Sequence, residues 1–463
     1  MPTFSVYTLG CKLNQAETEA IASSFKKAGW TLLPWNQVDD ADDTSRDILI
    51  INTCTVTSMA EQKARRVIRQ VLRDTSARVI VTGCYAQLEE KAIAALAGDA
   101  DRGRLLVIPG SRKGSIADLP AQWLKGQAVS GLPPGGLSGD PSDLWNPEDF
   151  SFHSRPFIKI EDGCDRRCSF CRVSLARGKS RSLEAEKALG IIKALEEKGA
   201  AEAVLTGVNL NQYRDTPLGL DLAGLLGYLL EGSSRINLRL SSLEPEGLTG
   251  DLLKVLAHRR IRPHFHLSVQ SGSAVILEQM RRPYGPEAVE QAVAALRSIK
   301  DDPFLAADII AGFPGETEEE FEKTLALCRR VGFAWIHAFP YSPRQGTEAF
   351  HFKNPVAERE AGKRVEALLA LARQGREAYI RRWMGRETEA VFETGRFPGF
   401  APALSANYLK LLVRLPAEFP PGPPLAAEAL PGRPFRCRLR PFPPEEGPPP
   451  TGFDAAAEFL PNS

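Results

Sequence analysis

Long apolar runs are missing from this chain of 463 residues: no stretch approaches the roughly 18 consecutive apolar residues of a membrane-spanning helix. Its first residues, MPTFSVYTLGCKLNQ, carry no basic leader followed by an apolar segment, so no targeting peptide is expected. Both absences point to a cytoplasmic protein. An excess of either charge is missing as well, since 58 Lys and Arg stand against 57 Asp and Glu. A polyanion would have to be held by local patches, because no global field draws it in. Cysteine is scarce, with eight residues in the whole chain, too few for the disulfide framework of a secreted scaffold. In a reducing compartment, thiols that cluster more often bind metal or do chemistry.

What is present is an ordinary globular composition, 43% hydrophobic and 25% charged, on a chain too long for one core. Two to four domains are expected, with three as the working division. In residues 1–129 the runs FSVYTLG, DILIINT and RVIVTG each precede a helical pattern, the signature of an open parallel sheet covered by helices. Ser58 and Glu61 have capping-box spacing, after which Ala60, Ala64, Val67, Ile68 and Val71 recur at helical spacing. Residues 130–150, SGLPPGGLSGDPSDLWNPEDF, are rich in Gly, Pro and Ser and read as a linker. In residues 151–385 six candidate strands, FIKI, AVLTGV, NLRLSS, HFHLSV, LAADIIAGF and WIHAFPY, suggest a partial (β/α)6 version of a parallel barrel. Thr317 and Glu320 repeat the capping-box spacing, and Phe321, Leu325, Cys328 and Val331 fall on one stripe, which assigns Cys328 to a core. A helical segment over 356–382 leads into residues 386–463, where TEAVFET, NYLKLLVRL and PFRCRLRPF suggest a small β-barrel.

Three of the eight cysteines, Cys164, Cys168 and Cys171, crowd into the stretch EDGCDRRCSFCRVSLARG. Thiolates so close together are electrostatically costly without a cation, so the spacing C-x3-C-x2-C points to metal. Three ligands leave one position of a cubane cluster open, which suits a cluster that must touch its substrate. A zinc site completed by a distant fourth ligand is the alternative. Cys11, Cys54 and Cys84 each lie just past the carboxyl end of a predicted strand, after VYTLG, LIINT and VIVTG. Loops leaving one edge of an open parallel sheet converge, so these three could meet as a second cluster site; the alternative is three ordinary half-buried cysteines. Cys437 stands alone and has no assigned role.

The C-x3-C-x2-C motif with Phe170 before its last cysteine resembles the radical S-adenosylmethionine superfamily. With TLGCKLNQAETE, INTCTVTSMAEQKARR, VTGCYAQ, LTGVNL, RLSSLEP, HFHLSVQSGS, ADIIAGFPGETEEEF and FPYSPRQGTEAF in order, nearly the whole chain resembles the methylthiotransferases of that superfamily. TLGCK-x-NQ, INTCTVT, GCYAQ and HAFPYSPRQGT look most like the branch that methylthiolates N6-threonylcarbamoyladenosine beside the tRNA anticodon. The resemblance implies two [4Fe-4S] clusters, one on Cys11, Cys54 and Cys84 and one on Cys164, Cys168 and Cys171. It also implies S-adenosyl-L-methionine at the second cluster, a tRNA anticodon stem-loop as substrate, and an electron donor such as flavodoxin or ferredoxin. The carboxyl-terminal domain is implied to be TRAM-like and to help bind RNA. A C–H bond on an adenine ring carbon resists acid–base and nucleophilic side chains, so delegating it to cofactors is chemically consistent.

Other residues take roles by position. Phe170 is expected to contact the cofactor, and Thr206 and Gly207 to approach the methionine part of S-adenosylmethionine; a structural turn is the alternative for the last two. Arg239, Ser241, Ser242 and Glu244 cap the third strand and Gln270 ends the fourth, where they either hold the cofactor's ribose or carboxylate or are solvated rim groups. AGFPGET supplies a turn that could approach adenine, while His264 and His266 read as core or rim. Ser174 stands where the family usually has proline, a change that loosens the loop without removing a ligand. Residues 386–463 carry eight Lys or Arg against nine Asp or Glu, so phosphate contacts would fall to RPFRCRLRP, to Arg65, Arg66, Arg69 and Arg73, or to Arg376, Arg381, Arg382 and Arg386.

Three other readings compete. One is the same chemistry directed at isopentenyladenosine in tRNA or at a ribosomal protein. Another is a radical enzyme with an amino-terminal cobalamin domain, although none of the six histidines stands in an Asp-x-His-x-x-Gly signature. The last is a zinc-stabilised RNA-binding protein without catalysis, which would be colourless where an iron–sulfur protein is brown.

Overall fold

The computed structural model describes residues 1–35, 46–124, 147, 150–395, 397, 399–414, 432–442 and 451–460. All but residues 147 and 150 of the predicted linker lie outside the described residues. Strands β1 (Thr3–Thr8), β2 (Thr31–Leu32), β3 (Ile48–Thr53), β4 (Arg78–Gly83) and β5 (Leu105–Val107) form one parallel sheet in the order β2-β1-β3-β4-β5. Every residue of β3 is buried, as a central strand covered on both faces requires. Side chains alternate between two layers. Leu49, Ile51, Val79 and Val81 pack with Ala64, Ile68 and Val71 of α2 (Ser58–Asp74), while Ile48, Ile50 and Ile80 pack with Ile21 and Phe25 of α1 (Lys12–Lys27).

The predicted cap of α2 is displaced by one residue. Thr57, not Ser58, is the N-cap, its Oγ1 accepting the Ala60 N–H at 3.2 Å. Glu61 makes no capping box; its carboxylate takes the Thr55 hydroxyl and the guanidinium groups of Arg172 and Arg344. Charge-assisted bonds from two arginines outcompete one backbone N–H.

The second region begins with β6 (Phe157–Lys159), followed by an antiparallel pair, β7 (Glu161–Asp162) and β8 (Arg181–Ser182). Strands β9 (Glu202–Thr206) and β10 (Asn237–Leu240) then pair in parallel with β6 in the order β10-β9-β6. A second parallel group runs β11 (Ser242–Leu243), β12 (His264–Gln270), β13 (Phe304–Ala311) and β14 (Trp335–Pro340). The predicted third strand is thus divided at Ser241, its two halves pairing with different neighbours. Leu205, Leu238, Leu267 and Ile309 share one core with Ile192, Leu226, Val293 and Leu327 of the covering helices. Thr317 caps the helix Glu318–Val331 as predicted, and Phe321, Leu325, Cys328 and Val331 are all buried.

The helix Glu358–Trp383 leads into a closed barrel of β15 (Glu387–Phe392), β16 (Phe400–Ser405), β17 (Lys410–Arg414), β18 (Pro434–Arg440) and β19 (Ala455–Leu460), ordered β15-β16-β17-β19-β18. Strands β15, β17 and β18 match the predicted runs. FAPALS and AAAEFL, which form β16 and β19, lack the β-branched residues that mark strands. Cys437 is buried in this barrel's core, which is continuous with Phe304, Tyr379 and Trp383 of the preceding region. Among the described residues no helix is long and apolar enough to cross a membrane.

Candidate active site

Strands β1, β3 and β4 are neighbours in one parallel sheet, so the loops that carry Cys11, Cys54 and Cys84 leave the same edge side by side. The first loop touches the second: Gly10 has φ +109°, and a Cβ added there would lie 2.7 Å from Cys54 Cβ. Burial pushes the Cys54 thiol up to about 12, with Cys11 and Cys84 adding to the rise and the Val56 N–H opposing it. That N–H lies 3.5 Å from Cys54 Sγ. Burial raises Cys84 too, against the pull of Arg177 and Lys113. The three sulfurs therefore share one electrostatic neighbourhood.

The second trio is local. Its loop leaves β7 and returns through β8, and the Cys164 N–H donates to Gly178 O at 3.0 Å. Gly163 sits at φ +84° with the Lys179 carbonyl so close that a Cβ would lie 2.1 Å from it; only glycine tolerates that crossing. Burial drives Cys171 up to about 12, the Val173 N–H opposes this, and Cys168 and Cys164 reinforce it. Arg282 donates from Nη1 to Cys168 Sγ at 3.3 Å while its other terminal nitrogen is paired with Glu244. Sequence reasoning missed Arg282, whose only signal is the run MRRPYG.

The donor sets fit iron–sulfur clusters. Thiols held in apolar surroundings stay protonated by themselves, and a metal is what makes them thiolates. The N–H donors beside Cys54, Cys168 and Cys171 are the kind that tune cluster sulfurs. Among the described residues no three or more His, Cys, Asp and Glu side chains are placed to hold one metal ion. The ligands of a cubane each bind a different iron and need not converge on a single point.

A buried ion network ties the two loops together. Arg177, in the helix Val173–Arg177 that follows the local trio, donates to Asn14 Oδ1 at 2.7 Å, Glu17 Oε1 at 2.9 Å and Asp162 Oδ1 at 2.8 Å. Lys159 bridges Glu17 at 3.0 Å and Asp162 at 2.7 Å, and Lys113 also pairs with Glu17. Burial alone would raise the Glu17 carboxyl, but Arg177, Lys113 and Lys159 hold it well below the usual carboxylate range. Asp162 opposes its own burial in the same way and lies at about 2. A second seam joins Glu61 of α2 to Arg172 and Arg344.

Four cavities border the cysteines, one of them, about 460 Å³, lined by Cys84 and the ion network of Glu17, Lys159, Asp162 and Arg177; the other three concern the predicted contacts. One of about 570 Å³ is lined by Cys164, Cys168 and Cys171 together with Arg166, Arg167 and Lys179. A smaller one, about 200 Å³, joins Phe170, Cys171 and Gln270 to Thr55, Val56 and Thr57, the residues that follow Cys54. Gln270 reaches it from a left-handed backbone, φ 67°, at an irregularity in the β12–β13 register. The third, about 650 Å³, lies where the three regions meet and is lined by Cys11 and Lys12, by Thr206, Gly207, Ser241 and Ser242, and by Tyr408 and Lys410, among others. Gly207 packs against Glu161, whose Oε2 would lie 2.7 Å from an added Cβ.

Two of the predicted cofactor contacts are placed otherwise. Arg239 lies within β10, not at its rim; it is 1% exposed and spends its guanidinium on Glu202 at 2.6 and 3.0 Å and on the Ser405 carbonyl at 3.3 Å. The Glu202 pair lies within one sheet and satisfies a buried carboxylate, while the bond to Ser405 reaches the carboxyl-terminal barrel and Nη1 is without a partner among the described residues. Glu244 is committed to Arg282 and its backbone N–H to Asn211 Oδ1 at 2.8 Å, so it acts on the local trio through Arg282. Ser242 Oγ is 2.7 Å from His266 Nδ1, whereas Ser241 Oγ is buried without a partner.

The suggested phosphate contacts divide similarly. Arg376 pairs with Asp454, Arg382 with Asp302 and Arg386 with Asp301. Arg436 and Arg438 of the carboxyl-terminal stripe both pair with Glu387, and Arg440 with Glu458. Arg65 is drawn to the Tyr85 hydroxyl at 2.9 Å, while Arg66 and Arg69 stand exposed on α2.

A family model described as the Radical SAM superfamily matches residues 158–328, and one described as Uncharacterized protein family UPF0004 matches residues 3–102. The Threonylcarbamoyladenosine tRNA methylthiotransferase MtaB of Treponema pallidum (strain Nichols) is 40% identical, over 88% of this chain and 93% of its own. The protein of the same name from Bacillus subtilis (strain 168) is 33% identical, over 89% and 91%. The tRNA-2-methylthio-N(6)-dimethylallyladenosine synthase of Koribacter versatilis (strain Ellin345) is 30% identical, over 84% and 86%. Among solved structures, the radical S-adenosylmethionine methyltransferase TsrM from Kitasatospora setae, with cobalamin and [4Fe-4S] cluster bound, superposes with a TM-score of 0.51 at 14% identity. That match covers 73% of this chain and 72% of TsrM, and is a likeness of fold alone.

Proposed function

This chain belongs to the methylthiotransferase family of radical S-adenosylmethionine enzymes, and from that premise we propose that it converts N6-threonylcarbamoyladenosine beside the tRNA anticodon to its 2-methylthio derivative. The observation that carries the reading is the pairing of a C-x3-C-x2-C loop with three strand-end cysteines across one seam, where Thr55–Thr57 and Cys171 line the same cavity. When bound, two [4Fe-4S] clusters and S-adenosylmethionine supply what side chains lack, homolytic activation of an aromatic C–H bond and the sulfur to replace it.

The chain's own residues hold, orient and enclose. Cys164, Cys168 and Cys171 would bind one cluster and Cys11, Cys54 and Cys84 the other. Arg282, anchored by Glu244, donates toward Cys168 and offsets charge there. Phe170 and Gln270 wall the small cavity beside Cys171 and are the cofactor contacts we retain, with Thr206, Gly207, Ser241 and Ser242 at the larger one. Arg177, Glu17, Lys159 and Asp162 tie the loops together through buried ion pairs. We read residues 1–129, 151–385 and 386–463 as three domains that meet around this seam, and an external one-electron donor such as flavodoxin or ferredoxin completes the system.

Nucleoside mass spectrometry of tRNA from cells with and without this gene tests the reading. Loss of 2-methylthio-N6-threonylcarbamoyladenosine alone supports it. Loss of the methylthiolated isopentenyl nucleoside instead would redirect the substrate, and retention of both would reject tRNA methylthiolation.

A further inference from the structure

Lys12 follows Cys11 and opens α1 with no acidic residue in the first turn. A cation at a helix amino terminus opposes the helix dipole, so the position is unfavourable unless an anion visits it. Its side chain lines the cavity of about 650 Å³. Among the described residues its ammonium makes no hydrogen bond or ion pair, and its recorded contact is the Tyr408 ring, with the centroid 5.9 Å away. Burial brings the Lys12 ammonium below its ordinary range, and the groups that face it are Tyr408, Arg239, Arg155 and Asp308. Arg155 is paired with Glu393 at 2.7 Å and Arg239 with Glu202 at 2.6 Å, Arg239 Nη1 being without a partner among the described residues, and Asp308 lies 3.2 Å from His266 Nε2 without a hydrogen bond to it. Burial would raise the Tyr408 phenol, yet Lys12, Arg155 and Arg239 bring it below its ordinary range, the mark of a local excess of positive charge.

The same cavity holds three further unsatisfied atoms among the described residues. Ser241 Oγ, His264 Nδ1 and His266 Nε2 are buried without hydrogen-bond partners, and Ser241 and His264 are more than nine-tenths buried. Buried polar atoms are rarely left unpaired unless a ligand or water completes them. Around them stand Phe304, Trp335, Phe339 and Tyr408, a largely aromatic wall suited to a planar base. The lining also carries Asp308, Lys410 and the Arg376–Asp454 pair; among these charges Lys12, with the unsatisfied polar atoms and aromatic walls beside it, suits a base bearing one carboxylate, and a wholly apolar substituent would leave its ammonium unpaired.

Resting on the substrate reading above, we propose that Lys12 is a specificity-determining residue whose ammonium ion-pairs with the carboxylate of the substrate's N6 substituent, beside Cys11. It binds substrate; it performs no proton transfer.

The test uses reconstituted holoenzyme, wild type and the variants Lys12→Met and Lys12→Arg. Each is given two anticodon stem-loop RNAs, one with N6-threonylcarbamoyladenosine and one in which the threonyl carboxylate is a neutral amide. Equilibrium binding, KM, kcat and iron content are read for each pair. Wild type should favour the carboxylate RNA by about ten- to a hundredfold, the scale of a charge-assisted contact. Lys12→Met should keep wild-type iron, lose that preference and raise KM with little change in kcat, and Lys12→Arg should restore most of it. A Lys12→Met enzyme that still prefers the carboxylate RNA as wild type does would overturn the proposal. So would loss of iron in Lys12→Met, which would make the residue a partner of the cluster. Wild type that modifies neither RNA would overturn the substrate reading and the proposal together.

Discussion

The two cysteine trios are placed in the fold by opposite routes. Cys164, Cys168 and Cys171 are gathered by one loop, clasped between β7 and β8. Cys11, Cys54 and Cys84 are brought together by three adjacent strands of a parallel sheet. The local trio needs only its own loop geometry, while the dispersed trio needs the whole sheet in register. The difference implies that damage to either should be separable, and that the ion network between them is where they become one site.

The largest effect should come from removing a ligand on either side. Cys168→Ala and Cys54→Ala should each lower activity to background while losing about four of about eight irons per chain, measured by iron analysis after anaerobic reconstitution. Loss of all iron from either variant would mean that the two trios are not independent. Next in size is the seam itself. Arg177→Ala leaves Glu17 and Asp162 short of a buried partner and should cost about 3 to 5 kcal/mol of stability in denaturant unfolding.

Two glycines sharpen the comparison. Gly163→Ala, at φ +84° with a carbonyl in the way, should reduce iron at the local trio, and Gly10→Ala, at φ +109° against Cys54, at the dispersed one. Each strain is worth about 1 to 3 kcal/mol, and cluster spectroscopy in the Cys54→Ala and Cys168→Ala backgrounds tells which trio responds.

Acid should probe the seam more gently. Glu17 and Asp162 are both depressed in the folded protein, so the unfolded chain binds more protons at low pH. Their stabilisation is complete above the ordinary carboxyl range of about 4 and is lost as pH falls toward about 2. Unfolding midpoints measured from pH 6 downward should show that slope, and Glu17→Gln should flatten it. The smallest effect is expected from Ser174→Pro in the first turn of the short helix Val173–Arg177. Proline is tolerated there, so stability should change by less than about 1 kcal/mol and iron content not at all.

That Cys164, Cys168 and Cys171 share one loop was legible because their spacing is itself the geometry of a loop. That Cys11, Cys54 and Cys84 leave one sheet edge was legible because each follows a strand pattern, and parallel strands end on a common edge. The capping box at Ser58 failed because Glu61 answers to Arg172 and Arg344, more than a hundred positions away. Arg239 was misplaced because a strand pattern tells which residues alternate, not which rim a long side chain reaches; its partners Glu202 and Ser405 belong to other strands.

By itself the sequence determined the order of β/α units, the cluster motif and the charge balance, all set by local spacing and composition. Only the tertiary structure decided that Arg177 joins the two loops, that Arg282 attends Cys168, and that Lys12 lines a cavity with no ion-pair partner among the described residues. The reason is physical: whether a charge is neutralised depends on what is packed within a few ångströms of it, and in this chain those partners come from distant segments.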